Sequence, residues 1–272
     1  MTETDGGSSE AILSRLEDGI LHLTLNRPSA RNALTAEMIS TLTRQFAAIA
    51  GLPELRAVVL RGSQGHFCAG ADLRAVFVGA DAEGRDPALE YSEGLARLLK
   101  AVRDTPAVVI VVCEGAVLGD GLGLACVGDI VMAHRATRFS VPETSRGLPP
   151  AQIAPYLVER VGLPVARRLC LTGAQFDGVE ASAIGLADDV FDGEEALQHR
   201  LTDLITDVMR CAPRANALTK HLLLSLVAEP DAEFTRQAGL LFTSAVRGAE
   251  AREGIEAFLQ KRRPRWDYGS GR

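Results

Sequence analysis

Two glycine-containing loops, about fifty residues apart, carry the clearest chemical pattern in the sequence. The first spans residues 66–73 (HFCAGADL) and the second spans residues 114–123 (EGAVLGDGLG). Each follows a run of aliphatic, mostly β-branched residues, at 57–60 and 108–112, of the kind found in buried parallel strands. Backbone N–H groups at the ends of two neighbouring strands can stabilise a negative charge that develops on oxygen. The pattern therefore predicts a site for an enolate or a tetrahedral intermediate.

The two predicted donors are the N–H groups of Ala71 and Asp120. Gly119 and Gly121 flank Asp120 and lack the Cβ atoms that would keep a ligand away from the backbone. The residues that follow predict the start of a helix, whose first turn has N–H groups without intrahelical partners. From the spacing alone, it is equally possible that these glycines serve only tight turns and helix–sheet packing.

Glu143 is the predicted proton-transfer group. It follows Pro142 one strand–helix step after the second loop, so the chain can return to the same end of the sheet. A carboxylate near an oxyanion site can move a proton at the carbon next to a carbonyl, or orient water against a double bond. An acid in a Pro-Glu turn is usually a solvated surface residue, so the prediction depends on the two loops.

A dinucleotide-binding loop is an alternative interpretation of the second loop. The glycines at positions 119, 121 and 123 do not match the GxGxxG spacing of that fingerprint. Pro142 also directly precedes Glu143, which is unlike an acid that ends a central strand. The sequence therefore disfavours a dinucleotide site.

The remaining sequence must position these loops. Residues 12–17 and 20–25 predict a hairpin, and Thr35 predicts the N-cap of a helix that continues to Ile49. Strands and helices then alternate, as in a right-handed α/β arrangement. Residues 75–87 have the composition of a mobile surface loop that could close over a ligand. From residue 151 onward the pattern is mainly helical.

Composition limits the function classes. The 272 residues carry a net charge of −6, which disfavours sequence-independent binding to nucleic acid because that needs an excess of Lys and Arg. No apolar stretch reaches membrane-spanning length. The five cysteines contain no CxxC pair, so we expect no metal site and no disulfide framework. These features, and a polar N-terminus without a signal-like segment, predict a cytoplasmic protein.

The order of these motifs closely resembles the crotonase superfamily, which contains the enoyl-CoA hydratases and isomerases. The resemblance covers nearly the whole chain. The motifs that carry it are residues 25–28 (LNRP), 31–34 (RNAL), 67–73 (FCAGADL), 116–121 (AVLGDG), 142–143 (PE), 171–173 (LTG), 185–187 (GLA), 253–259 (EGIEAFL) and 261–264 (KRRP).

The resemblance implies an α/β, ClpP-like spiral of ββα units with a C-terminal helical trimerisation layer. We expect a disordered tail at residues 1–10, an acyl-CoA-binding core at 11–200 and a trimerisation region at 201–272, in a homotrimer or a dimer of trimers. It implies no separate cofactor, since coenzyme A is part of the substrate. By position, the implied catalytic residues are Glu143, Ala71 and Asp120. The implied substrate-binding residues are Arg27, Arg31, Ala69, Ala71, Asp72, Leu73, Arg74, Gly119, Asp120 and Lys261.

Two departures from the family pattern affect the predicted reaction. Hydratases of the family commonly carry two catalytic glutamates, and the first would fall at Gly123; in addition, Asp120 stands where a glycine is usual. The predicted function is an enoyl-CoA hydratase in which Glu143 holds a water that adds to C3 while C2 takes a proton. An isomerase that moves a proton from C2 to C4 is the alternative, and an inactive CoA-binding homologue is a further one.

Residues 144–162 indicate the acyl group. They resemble the branch that acts on branched glutaconyl-type thioesters, namely the isohexenylglutaconyl-CoA and methylglutaconyl-CoA hydratases. Arg146 lies in this stretch and would either face an acyl carboxylate or lie on the surface.

Overall fold

A computed structural model describes residues 10–262, except residues 53, 77–85, 212, 226–235, 237–238, 241 and 245. Most of the predicted mobile loop at 75–87 lies outside the described residues, as do the tail before residue 10 and the segment after residue 262. The mainly helical segment predicted from residue 151 onward is described in part, since these gaps include several of its residues.

A six-stranded sheet supports the site. Its strands are β1 (Ile12–Glu17), β2 (Ile20–Leu25), β3 (Ala57–Gly62), β4 (Val108–Cys113), β6 (Ile130–His134) and β9 (Asp189–Phe191). They lie in the order β1-β2-β3-β4-β6-β9. The predicted hairpin is confirmed, since β1 and β2 pair antiparallel with Glu17 opposite Ile20. All other neighbours pair parallel.

A second, three-stranded sheet contains the short strands β5 (Ala116–Leu118), β7 (Arg138–Ser140) and β8 (Gln175–Phe176). Residues 116–118 were predicted as part of a loop and residues 175–176 were not predicted as a strand. Segments of two or three residues are too short to show a strand period, and their pairing depends on contacts between distant parts of the chain.

Helices pack on both faces of the main sheet. The described helices are α1 (Ala36–Ile49), α2 (Leu73–Val76), α3 (Pro87–Asp104), α4 (Asp120–Cys126), α5 (Ala154–Thr172), α6 (Gly178–Ala183), α7 (Glu194–Arg210), α8 (Pro213–Ser225) and α9 (Ala249–Leu259). The predicted cap is confirmed, because the Thr35 hydroxyl oxygen accepts a hydrogen bond from the Met38 N–H group. None of the helices in the described ranges is long and apolar enough to cross a membrane.

The sheet is buried on both faces. Val109 and Val111 of β4 belong to the larger core, which includes residues of α1 and α3, whereas Ile110 and Val112 pack with Leu197 of α7. This explains the continuous apolar runs in β3 and β4, since a parallel sheet covered on both faces has no polar face. Because β3 and β4 are adjacent and parallel, the two glycine loops leave the sheet at the same edge.

Candidate active site

The two glycine loops pair with each other, as predicted from the strands that precede them. Cys68 forms an isolated parallel bridge with Val117. The Cys68 N–H group donates to the Ala116 carbonyl at 2.9 Å, and the Leu118 N–H group donates to the Cys68 carbonyl at 2.9 Å. A Cβ atom at Gly121 would lie 2.5 Å from the Cys68 carbonyl oxygen, so a glycine is required for this close approach.

The same contacts bring the two predicted amide donors together. Ala71 forms an isolated parallel bridge with Leu34. The Leu34 N–H group donates to the Gly70 carbonyl, and the Asp72 N–H group donates to the Leu34 carbonyl, both at 2.8 Å. The N–H group of Ala71 itself therefore points away from Leu34. A Cβ atom at Gly70 would lie 3.7 Å from the Asp120 nitrogen, which places the second donor beside the first loop. Among the described residues, neither donor N–H group has a hydrogen-bond acceptor.

Gly119 allows Glu143 to approach the second donor. It precedes α4 with φ 53° and ψ −118°, and its N–H group donates to the Ser140 carbonyl at 3.0 Å. A Cβ atom at Gly119 would lie 2.5 Å from Glu143 Oε1. The helix is present but begins at Asp120, earlier than the start predicted after Gly123, and the glycine before it gives the carboxyl group access to the backbone of the loop.

Glu143 is not the solvated residue that its Pro-Glu turn would ordinarily indicate. Its backbone carbonyl accepts from the N–H groups of Arg146 and Leu148, which holds the turn after β7. Its side-chain Oε2 atom is buried, and no hydrogen-bond partner for it is present among the described residues. Burial, and secondarily the charge of Asp120, raise the pKa of Glu143 to about 8. The carboxyl group is therefore mainly protonated near neutral pH.

A narrow cavity of about 40 Å³ contains all three predicted catalytic groups, Ala71, Asp120 and Glu143. Much of the remaining wall is apolar and comes from α3 and from the segment that precedes α5. The apolar lining residues include Leu73, Leu95, Leu148, Pro149, Pro150, Ile153 and Phe242. Such a wall suits an acyl chain.

An open groove of about 530 Å³ continues from this cavity. Its lining includes seven of the predicted substrate-binding residues: Arg27, Arg31, Ala69, Ala71, Asp72, Leu73 and Arg74. Gly119 and Asp120 line the cavity instead, and Lys261, which follows α9, is not among the described residues that line either space. Cavity and groove share Ala69, Ala71, Leu73 and Arg146, so they form one continuous surface.

Arg27 lines the groove and also forms contacts within the protein. Its guanidinium group forms an ion pair with Asp72 at 3.0 Å and donates to the Ala33 carbonyl at 2.7 Å. These contacts tie Ala33 to Asp72 of the first glycine loop. The positive charge of Arg27, one of the implied substrate-binding residues, is therefore already balanced in part by Asp72.

Sequence reasoning did not identify Tyr91 as a site residue. The Tyr91 hydroxyl group donates a 2.7 Å hydrogen bond to Asp120 Oδ2, and Tyr91 lines the same cavity as Glu143. Burial raises the pKa of Asp120 to about 6, while this hydrogen bond acts in the opposite direction. The signal was a tyrosine on the apolar face of α3, in register with Leu95 and Leu98, since a buried hydroxyl needs a partner.

Gly123 has no space for the glutamate that is common at this position. A Cβ atom there would lie 2.4 Å from Ile153 Cγ2.

We expect Gly123→Glu to lower the melting temperature without raising activity, because overpacking of this kind destabilises by about 1–3 kcal/mol. Thermal denaturation of Gly123→Ala, with and without Ile153→Ala, checks the cause. If the Ile153→Ala background does not relieve the destabilisation, the steric explanation is wrong.

Comparison with known proteins identifies the family. The sequence profile described as "Enoyl-CoA hydratase/isomerase" matches residues 15–269. The chain belongs to this family. A 2,3-dehydroadipyl-CoA hydratase from Escherichia coli (strain K12) is 34% identical over 262 residues, which cover 94% of this chain and 98% of that protein.

Solved structures of family members share the fold. AtuE of Pseudomonas aeruginosa is 44% identical, with a TM-score of 0.78 and coverage of 94% of this chain and 98% of that chain. An enoyl-CoA hydratase from Mycobacterium avium is 31% identical, with a TM-score of 0.84 and coverage of 95% and 99%. The predicted crotonase fold is therefore confirmed, and an acyl-CoA thioester is the substrate class of the family.

Proposed function

We propose that the protein is an enoyl-CoA hydratase that adds water to a 2-enoyl-CoA thioester. One observation carries the proposal: the Glu143 carboxyl group, whose Oε2 atom has no partner among the described residues, lies in the same apolar cavity as the two amide donors. A proton donor beside an oxyanion site is what enolate chemistry requires.

The N–H groups of Ala71 and Asp120 hold the thioester oxygen. Water oxygen forms a bond to C3, the electrons of the double bond move toward the thioester oxygen, and the enolate is stabilised by the two amides. Protonated Glu143 then donates its proton to C2. The minimal scheme returns the proton released by water to Glu143, so one carboxyl group serves both ends of the double bond.

The substrate enters along the continuous surface. The groove that contains Arg31 and Arg74 would hold the CoA portion and the apolar cavity the acyl portion. A branched glutaconyl-type acyl group is the more specific proposal. It is supported by Arg146, which lines both spaces and stacks on Phe258 at 4.5 Å, with no ion-pair partner among the described residues.

The competing function is a double-bond isomerase, which the single glutamate and the glycine at position 123 favour. Incubation of a panel of enoyl-CoA thioesters in heavy-oxygen water, followed by mass spectrometry, separates the two. Hydration places the label in the product, whereas isomerisation moves the double bond without a change in mass. Tight binding with no turnover of any thioester would instead indicate an inactive CoA-binding homologue.

The pH dependence follows from the protonation of Glu143. The pKa of this group is raised to about 8, so the proton-donating form is lost above that value. We expect kcat for hydration to fall as the pH rises through about 8. Steady-state rates across the alkaline range check this, and rates that stay constant well beyond that point would contradict the assignment of Glu143 as the acid.

The proposed assembly is a homotrimer or a dimer of trimers in the cytoplasm. The described C-terminal helices α8 and α9 expose large apolar side chains, including Leu218, Leu223 and Phe258, which a neighbouring subunit would cover. Size-exclusion chromatography with light scattering gives the subunit number directly.

A further inference from the structure

The proposed function uses the N–H group of Asp120 and leaves its side chain without a role. That side chain is an acid in the wall of the cavity that contains Glu143. Glu143 Oε1 lies 2.5 Å from the position of a Cβ atom at Gly119, the residue next to Asp120. The charge of Asp120 also contributes to the raised pKa of Glu143. Hydratases of the family commonly carry two catalytic glutamates, and the first would fall at Gly123. Asp120 is therefore a second carboxyl group in a site where Gly123 supplies none.

Tyr91 fixes the orientation of the Asp120 carboxyl group. Its ring belongs to the buried face of α3 and is 5% exposed, and its hydroxyl group donates to Asp120 Oδ2 at 2.7 Å. Burial, with the neighbouring Asp120, raises the pKa of Tyr91 well above its ordinary value, so the hydroxyl group remains a donor. The carboxylate is thereby held by Tyr91 and the Asp120 N–H group is left free for a ligand.

The two acids differ in their surroundings, and this separates their roles. Asp120 receives a hydrogen bond that stabilises its ionised form, whereas Glu143 Oε2 has no donor among the described residues. Two buried carboxyl groups in one cavity cannot both ionise easily, so the pair retains one proton. The arrangement places that proton on Glu143 and the negative charge on Asp120, which makes one an acid and the other a base.

The other titratable and charged groups that face the pair do not reverse this order. Burial raises the pKa of Cys68 to about 12 and that of Cys170 to about 11, so both thiols stay neutral. The charge of Asp72 contributes to the raised pKa of Tyr91, and Asp72 forms an ion pair with Arg27. The charge of Arg146 lowers the pKa of Glu143, but burial of Glu143 raises it by more.

We propose that the Asp120 carboxylate is the base that takes the proton from the attacking water, while protonated Glu143 supplies the proton to C2. The inference rests on the proposed hydratase function and replaces its one-carboxyl scheme. The water oxygen bonds to C3, one water proton moves to Asp120, and the displaced electron pair forms the enolate. The enolate takes the Glu143 proton, and the proton on Asp120 returns to Glu143 before the next turnover.

This division of roles removes an electrostatic conflict. A fixed negative charge on Asp120 would oppose the enolate that its own N–H group stabilises. When Asp120 accepts the water proton, it becomes neutral as the enolate forms. The negative charge therefore moves from one oxygen to another within the cavity, and the two charges do not accumulate.

The test compares Asp120→Asn and Tyr91→Phe with the matched control Tyr156→Phe, another buried tyrosine that lies outside the cavity. Asp120→Asn keeps the backbone donor and the side-chain size. We expect it to lower kcat for hydration by about 10²–10⁴-fold with little change in KM. Tyr91→Phe should lower kcat less and move the acidic limb of the pH profile upward, because the ionised form of Asp120 loses its donor. Tyr156→Phe should match the wild type.

A second reaction separates the base role from a structural one. Above about pH 8, where Glu143 is ionised, its carboxylate can take a proton from C2 of butyryl-CoA and return a deuteron from solvent; this exchange needs the amide donors and Glu143 but no attacking water. We expect Asp120→Asn to retain this exchange while losing hydration, and Glu143→Gln to lose both. Loss of both reactions in Asp120→Asn, or full hydration by that variant with an unchanged pH profile, would overturn the inference. A wild-type protein that incorporates no heavy oxygen from water would overturn the hydratase proposal as well.

Discussion

Glu143→Gln is expected to fold normally and to lose most enoyl-CoA turnover. The amide keeps the size of the side chain but has no carboxyl proton to donate to C2, and general acid–base groups contribute about 10²–10⁴-fold to rate. The measurement is kcat for hydration together with a circular dichroism spectrum. The control is Glu195→Gln, an exposed acid on α7, which should leave both unchanged. Turnover near the wild-type rate would remove Glu143 from the mechanism.

The same variant should be more stable than the wild type at alkaline pH. The pKa of Glu143 is raised from 4.5 to about 8 in the folded state, so between these values the folded protein holds a proton that the unfolded chain has released. The free energy of unfolding therefore decreases as the pH rises through this window. Gln has no such proton, so its advantage should reach a few kcal/mol, since one pKa unit corresponds to about 1.4 kcal/mol.

Urea denaturation of the wild type and Glu143→Gln across this pH window checks the sign. The difference between the two should widen as the pH rises and level off above about pH 8. A difference in stability that is the same at every pH would contradict the raised pKa of Glu143 in the folded state.

Gly119→Ala is the second substitution with a large expected effect. Its Cβ atom would meet Glu143 Oε1 at 2.5 Å, and the backbone φ of +53° is one that L side chains rarely adopt. The carboxyl group must move, and a displacement of about 1 Å in a catalytic group can lower the rate about 10²-fold. We expect at least that loss in kcat, together with a destabilisation of about 1–3 kcal/mol from the backbone.

Gly193→Ala is the matched control for backbone strain. Gly193 has φ +84°, and a Cβ atom there would have no neighbour within 4 Å. This variant should lose stability but keep its activity. Equal losses of activity in the two variants would show that general destabilisation, and not the contact with Glu143, explains the effect of Gly119→Ala.

The local elements of the fold were predictable because their signals are contained in short segments. The hairpin of β1 and β2 follows from alternating polarity around Asp18 and Gly19, both of which adopt positive φ. The N-cap at Thr35 follows from its hydroxyl group ahead of an apolar helical pattern. The apolar runs of β3 and β4 likewise predicted buried parallel strands. Because the carboxyl ends of neighbouring parallel strands lie at the same edge of a sheet, the sequence also predicted that the two glycine loops meet.

By itself, the sequence determined which groups are available: two glycine loops, one acid after a proline and no carboxyl group at position 123. Only the tertiary structure decided how they are used. Pairing of the loops brings the amide nitrogen of Asp120 beside Gly70, and Ile153 fills the space beside Gly123. Burial of Glu143 and the hydrogen bond from Tyr91 to Asp120 depend on segments far apart in the chain. The protonation of these acids follows from desolvation and neighbouring charge, which no local sequence pattern records.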